Sequence, residues 1–289
     1  MGPQTTPSRV TDTRGMELAV QAKLRSLLPV WLAEPLLILG KLLWASLFAV
    51  LILLGIVLSK VIWSDAIPFW RYDALVIYAV GLQILFLLFK LETWDEAKVI
   101  ILFHLSGTVM EFFKVNAGSW AYPEPGVLKL FSVPLFTGFM YASVGSFIAR
   151  AIRLFDMRFT PYPPLWMTFV LAAAIYINFF AHHFVTDIRL VLFAATVILF
   201  YRTKIRIRIG THDYCLPMVL AGIFVGFCLW IAENIGTRTG TWAYPGQAWY
   251  QWVAWSKMGS WYLLIFVSFV TVTLVFRDEI DTPDKRKST

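Results

Sequence analysis

The sequence predicts an all-α fold: a polytopic membrane helical bundle of about eight transmembrane helices, built as two parallel four-helix repeats. Three observations predict it. Of 289 residues, 58% are hydrophobic and 15% charged, against about 25% charged in a soluble domain. Mean hydropathy is +0.68, carried by repeated apolar runs close to the roughly 20 residues that cross a bilayer. A motif that starts at Glu111 recurs at Glu233. The composition excludes a soluble globule, a disordered chain, a collagen and a disulfide scaffold. Cys215 and Cys228 fall on one expected helix, roughly 20 Å apart at 1.5 Å per residue, so they cannot bridge.

Residues 1–35 read as a polar, disordered tail followed by an interfacial amphipathic helix, in which Leu18, Leu24, Leu27, Leu28 and Trp31 alternate with Lys23 and Arg25. Residues 36–277 read as a single transmembrane domain. Its spans are expected over 36–58, 72–89, 98–115, 133–153, 164–182, 186–201, 214–235 and 254–276, with Arg150 and Arg153 snorkelling from the end of the fourth. Residues 278–289 form a tail.

Basic residues orient such a bundle, because Lys and Arg near helix ends favour the cytoplasmic side. Of the 25 Lys and Arg residues, 17 fall at the two termini and in the connections around residues 90–98, 150–158 and 202–208. Both termini are therefore expected in the cytoplasm, which requires an even number of spans. The net charge of +7 lies in these loops, so no nucleic-acid partner is implied; the expected partners are the lipid bilayer and a lipophilic or small-molecule ligand.

The repeat carries the candidate site. Glu111, Gly118, Ser119, Trp120, Ala121, Tyr122 and Pro123 recur 122 residues later as Glu233, Gly240, Thr241, Trp242, Ala243, Tyr244 and Pro245. At a spacing of 114, Asp73 matches Asp187 and Gly145-Ser146 matches Gly259-Ser260. Two halves in one orientation follow, with the first repeat over about 36–158 and the second over about 159–277. Within each motif the Gly permits a left-handed helix exit, Pro stops the helix, and Trp and Tyr suit the membrane interface. The Glu lies about five residues, or ~7 Å, inside the helix, where an ionisable group is costly and is a functional candidate.

Glu111, Glu233, His104, His182 and His183 are the candidate catalytic groups. Trp120, Tyr122, Trp242, Tyr244, Asn116, Asn234, Asp73 and Asp187 are the candidate binding groups around them. His104 shares a helix face with Glu111, and at the 122-residue spacing it aligns with Gly226, which predicts that His104 projects into the space beside that glycine. Structural readings stand beside these. The two Glu residues can pair with Lys114 and Arg238 or cap loops, Asp73 and Asp187 can be helix N-caps, and the tryptophans can be an interfacial belt. Four histidines are too few for a multi-histidine di-iron site. No cofactor is predicted; His104, His183 and Glu111 supply enough ligands for a mononuclear metal, without ligand spacing that selects one. No Gly-x-Ser-x-Gly or Gly-rich nucleotide loop is present.

Taken with His182-His183, the two motifs and the run Pro134 to Ser143 (PLFTGFMYAS), the chain resembles the bacterial domain-of-unknown-function 817 family. That resemblance implies a multi-pass protein of the bacterial inner membrane and implies no activity. In one motif, an intramembrane Glu followed by a Gly and aromatic loop, it is also similar to membrane carotenoid cyclases and hydratases. Two functions follow as expectations. One is a cofactor-independent acid/base enzyme acting on a lipophilic, isoprenoid-like substrate at an outward-facing Glu/His/aromatic site, with the two acids splitting their protonation. The other is a proton- or cation-coupled transporter of a small solute. A membrane scaffold is a third reading.

Overall fold

A computed structural model describes residues 14–64, 66–181, 184–209 and 212–276, with side chains from residue 18. His182, His183 and the expected C-terminal tail lie outside the described residues. The chain begins with α1 (Arg14–Leu27), α2 (Val30–Ala45), α3 (Leu47–Ile62), α4 (Arg71–Leu88) and α5 (Trp94–Asn116). A short hairpin, β1 (Lys129–Leu130) and β2 (Val133–Pro134), leads into α6 (Phe136–Leu154). After β3 (Arg158–Thr160) come α7 (Leu165–Ala181), α8 (Arg189–Phe200), the strands β4 (Lys204–Ile209) and β5 (His212–Pro217), α9 (Met218–Arg238) and α10 (Trp255–Val272).

Four helices, α4, α5, α9 and α10, are long and apolar enough to cross a membrane, and α2 with α3 makes a fifth span if the bent pair counts as one. The chain is thus a helical membrane protein by length and composition. The expected first span is broken: α2 and α3 meet at 72°. Ser46 sits at the break and donates its hydroxyl to the carbonyls of Leu42 and Leu43, a back-bond added to the helix ladder of the kind that bends helices. The expected fifth and sixth spans are the shorter apolar helices α7 and α8.

Where a basic loop was expected, β4 pairs with β3 and β5 in a three-stranded antiparallel sheet. Lys204, Arg206 and Arg208 alternate along it with Ile205, Ile207 and Ile209, the period-two pattern of a strand with one covered face. Because β5 runs to Pro217, α9 starts at Met218, so Cys215 lies on a strand and Cys228 on a helix, both unpaired. The amphipathic α1 docks on this end: Arg25 pairs with Glu34 at 2.9 Å, and Tyr214 donates to Glu34 at 2.6 Å.

Between helices in lipid, close packing does the work that hydrophobic transfer does in water. Accordingly α5 and α6 interlock through small residues in both directions, Gly107 facing the Tyr141 ring and Gly138 facing His104. Arg150 does not snorkel. It is fully buried, donates to the Trp44 carbonyl at 2.8 Å and lies over the Trp44 and Phe86 rings. Arg153 instead pairs with Glu96 at 2.8 Å, the residue that closes the capping box of α5 with Thr93.

The sequence match between α6 and α10 does not carry into packing. Gly145 lies against Phe103 of α5, whereas Gly259 lies against Phe193 of α8.

Candidate functional site

The two motifs build the same local structure twice. Helix α5 ends in a Schellman turn, with Gly118 donating to Val115 and Ser119 to Lys114; α9 ends the same way, with Gly240 donating to Thr237 and Thr241 to Gly236. Both glycines hold the left-handed conformation this turn needs, at φ +70 and +67. The chain then turns back across the helix end. There the two motifs meet: the N–H of Ala121 donates to the carbonyl of Ala243 and the reverse, both at 2.9 Å, in an antiparallel bridge.

Each motif folds over its own glutamate. Glu111 accepts from the Trp120 indole at 2.8 Å and the Tyr122 hydroxyl at 2.8 Å, and Glu233 from the Trp242 indole at 2.7 Å and the Tyr244 hydroxyl at 2.7 Å. A third donor comes from the following long helix: Tyr141 of α6 at 2.7 Å to Glu111 and Trp261 of α10 at 3.1 Å to Glu233. Both carboxyl groups are buried, and a carboxylate has about four acceptor positions. Three donors leave one position on each. Burial and the adjacent carboxylates push the Tyr122 and Tyr244 phenols well above their ordinary range, so both stay protonated donors at neutral pH.

Both glutamates line one cavity of about 590 Å³, within the size range of small-molecule sites. Its polar end also holds Lys114, Arg189, Lys257, Ser256 and Ser260. Its apolar wall comes from α2, α3, α6 and α9. Leu39, Leu43, Val50 and Phe224 belong to that wall and are also exposed on the outside of the bundle, so the apolar end opens through lipid-like surface.

Residues 36–269 match the family described as protein of unknown function, DUF817. The chain belongs to the DUF817 family. A relative from Bacillus subtilis (strain 168), described as uncharacterized protein YoaT, is 42% identical over 246 residues, which cover 83% of this chain and 91% of that protein. Among solved structures, a cross-linked MvINS trimer is similar at a TM-score of 0.46 and 16% identity, over 64% of this chain and 95% of that one.

In this DUF817 member the expected site residues separate into two groups. Glu111, Glu233, Trp120, Tyr122, Trp242 and Tyr244 come together at the cavity. The other described candidates do not line it. Asp73 accepts the backbone N–H groups of Val127 and Leu128 and so ties down the loop after the first motif. Asp187 accepts from Asn178 and from the backbone of Arg189, whose side chain it pairs at 3.0 Å. Asn234 spans from the Trp230 carbonyl to the Val253 N–H, and Asn116 is exposed.

His104 lies against Gly138 and 4.6 Å from the Phe139 ring, both on α6. It does not enter the space beside Gly226, which the backbone of Tyr262 fills from α10. Among the described residues no group of three His, Cys, Asp or Glu side chains is placed to hold a metal ion.

Four cavity residues escaped sequence reasoning. Tyr141 and Trp261 reach the carboxyl groups from other helices, at 30 and 28 residues' distance, which no short-range spacing reveals. Lys257 and Arg189 had a usable signal: each is the basic residue in the first turn of an otherwise apolar helix.

Proposed function

We propose that this protein is a multi-pass enzyme of the bacterial inner membrane that moves protons on a lipophilic, isoprenoid-like substrate, with Glu111 and Glu233 as its acid and base. One observation carries the reading: two buried carboxyl groups, each held by three aromatic donors with one acceptor position left, share the polar end of a cavity whose walls are apolar. The protonated acid adds its proton to an alkene carbon, and the other carboxylate removes a proton from a neighbouring carbon. The double bond moves, and the pair ends with its proton exchanged between the two sites, so no oxidant or reductant is consumed. The Trp120, Trp242 and Trp261 rings supply π-faces for the carbocation between the two steps. In this reading the bundle crosses the membrane eight times as two parallel halves, both termini are cytoplasmic, and the motif end faces outward.

Deuterium uptake tests the chemistry. Purified protein incubated with a membrane-lipid extract in deuterated water is expected to label an isoprenoid-like lipid, and Glu111→Gln or Glu233→Gln to abolish the label. Labelling that is equal with and without protein overturns the reading. Reporter fusions test the topology: those after Lys60, Gly126 and Gly246 are expected outside and those after Lys90, Arg158 and Arg208 inside. The inverse pattern removes the outward-facing site.

A further inference from the structure

We infer that the cavity takes a lipid alcohol sideways from the bilayer, its hydrocarbon chain entering past α2, α3 and α9 and its hydroxyl resting among Glu111, Glu233 and Lys257. The inference rests on the proposed function and names the headgroup of its substrate.

Charge at the polar end is already matched within the protein. Arg189 pairs with Asp187 at 3.0 Å and donates to the Ser256 carbonyl at 3.4 Å. Lys114 donates to the Phe179 carbonyl and lies 4.1 Å from the centre of that ring. Lys257 is attracted by Glu233 and rests over the Tyr244 ring at 4.3 Å and the Trp120 ring at 5.9 Å. A ligand that enters here therefore has no charge to neutralise. An anionic headgroup would face two buried carboxyl groups, and an ammonium would face Lys114, Lys257 and Arg189. Repulsion of either kind is strong between apolar walls.

Hydrogen bonds, in contrast, are left open. The two motif donors of each clamp share one carboxyl oxygen, Oε2 of Glu111 and Oε1 of Glu233. The third donor takes the other oxygen, Oε1 of Glu111 and Oε2 of Glu233. The remaining acceptor position of each carboxylate thus lies on the oxygen that carries a single bond. In the same cavity the Lys257 ammonium brings three N–H donors, and among the described residues it has no hydrogen-bond acceptor.

A hydroxyl answers both needs, because it donates and accepts. It gives a hydrogen bond to a carboxylate and takes one from a carboxylic acid or from the ammonium, so it keeps its place in either protonation state of an acid/base pair. An ether or a ketone only accepts, and it leaves the open position of an ionised carboxylate unfilled.

The other end of the cavity supplies the route for the chain. Leu39 and Leu43 of α2, Val50 of α3, and Phe224 and Cys228 of α9 line the cavity and are also exposed on the outside of the bundle. Side chains that meet the cavity and the surroundings at once form a rim, and this rim carries no charge. The break at Ser46, which also lines the cavity, sets α2 and α3 at 72° beside it. A hydrocarbon chain passes such a rim from the bilayer without crossing the polar end, and its hydroxyl is drawn inward by the unfilled bonds.

Binding of farnesol, farnesyl methyl ether, farnesyl phosphate and farnesylamine to the purified full-length protein in detergent, read by native mass spectrometry, tests the headgroup. Farnesol is expected to bind at least about tenfold more tightly than each of the other three. Lys257→Met is expected to lose about tenfold in farnesol binding and Lys257→Arg to restore most of it. Equal binding of the alcohol and the ether overturns the hydroxyl, and tighter binding of the phosphate or the amine overturns the neutral headgroup. These comparisons on the unaltered protein need no variant to fold. The route is read at Cys228, in protein whose other cysteine, exposed on β5 and outside the cavity, is replaced by Cys215→Ala. Farnesol is expected to slow alkylation of Cys228 by N-ethylmaleimide severalfold; bound farnesol with an unchanged rate overturns the entry past α9. Alcohol-selective binding without deuterium uptake removes the acid/base chemistry and leaves this site standing, whereas uptake with equal binding of alcohol and ether does the reverse.

Discussion

The two copies of the motif make the same clamp and then diverge. In the first, Tyr122 is buried and Trp120 is half-buried; in the second, Trp242 is buried and Tyr244 is half-buried. Tyr122 and Trp242 pack into a core with Tyr72 and the α3 side chains, while Trp120 and Tyr244 meet edge to face, 6.1 Å apart, under Lys257. One aromatic from each copy thus anchors the fold and the other faces the cation. The cause is readable one turn beyond each glutamate. Lys114 follows Glu111, whereas Gly236 stands at the matching place after Glu233, and the Trp242 ring fills the room that glycine leaves. The two motifs make equal carboxyl clamps, and the residue one turn beyond each glutamate, Lys114 or Gly236, sets which aromatic packs against its own helix.

The largest effect that separates the copies is expected at that position. A Cβ at Gly236 would lie 1.9 Å from the Trp242 ring, and α9 backbone and a buried indole have no cheap way to part. Gly236→Leu must expel the indole from its bond to Glu233, costing about 3 kcal/mol or more through overpacking and a buried unsatisfied carboxyl. Lys114→Leu is expected to cost far less, since that copy already accommodates a long side chain there. Thermal unfolding in detergent, read by size-exclusion of the surviving folded fraction, compares the two. Similar losses would show that the copies are equivalent and that the asymmetry has no energetic weight.

How much of this was legible beforehand follows from how far each contact reaches along the chain. The glutamate, the left-handed glycine and the Trp-Ala-Tyr-Pro run lie within 13 residues of one another, so the recurring motif itself contains the clamp's first two donors and its turn. Tyr141 and Trp261 sit on separate helices 120 residues apart, not at the 114-residue spacing at which Gly145 and Gly259 align. A six-residue shift turns a helix by about 240°, which is why those matched glycines face different partners. The break at Ser46 was hidden because the apolar run through it has no Pro or Gly near the break other than Gly40 and Gly55. Strand β4 is written in the alternation of basic residues with isoleucine, a period-two pattern overlaid by the charge of the same Lys and Arg residues.

A smaller effect sharpens the comparison at the third donor. Tyr141 reaches Glu111 at 2.7 Å and Trp261 reaches Glu233 at 3.1 Å. Tyr141→Phe deletes a hydroxyl and leaves the ring in place against Gly107, so its cost is that of one hydrogen bond to a buried carboxyl, roughly 1–3 kcal/mol. Trp261→Phe removes the longer bond together with part of an indole. A loss for Trp261→Phe that does not exceed the packing cost of its missing ring atoms would place the weight of that clamp on Trp242 and Tyr244 alone. The readout is the shift in unfolding temperature for each variant, with Trp261→Leu as the packing control.

The smallest effect is expected where the copies are most alike. Gly118 and Gly240 both sit at positive φ, +70 and +67, and a Cβ would find open space at Gly118 and only the Lys60 ammonium, 3.8 Å away, at Gly240. Neither alanine substitution meets a neighbour it cannot accommodate, so each is left with the intrinsic cost of holding an L-residue in the left-handed region, about 1 kcal/mol. That cost depends on the backbone and not on what surrounds it. Gly118→Ala and Gly240→Ala should therefore lower the unfolding temperature by the same small amount, and the double variant by about their sum, since the two glycines lie in separate turns. A marked inequality would mean that one turn is held more tightly than its hydrogen bonds indicate, and a coupling between them would point to the contacts that join the two copies, the Ala121–Ala243 bridge and the Trp120–Tyr244 pair.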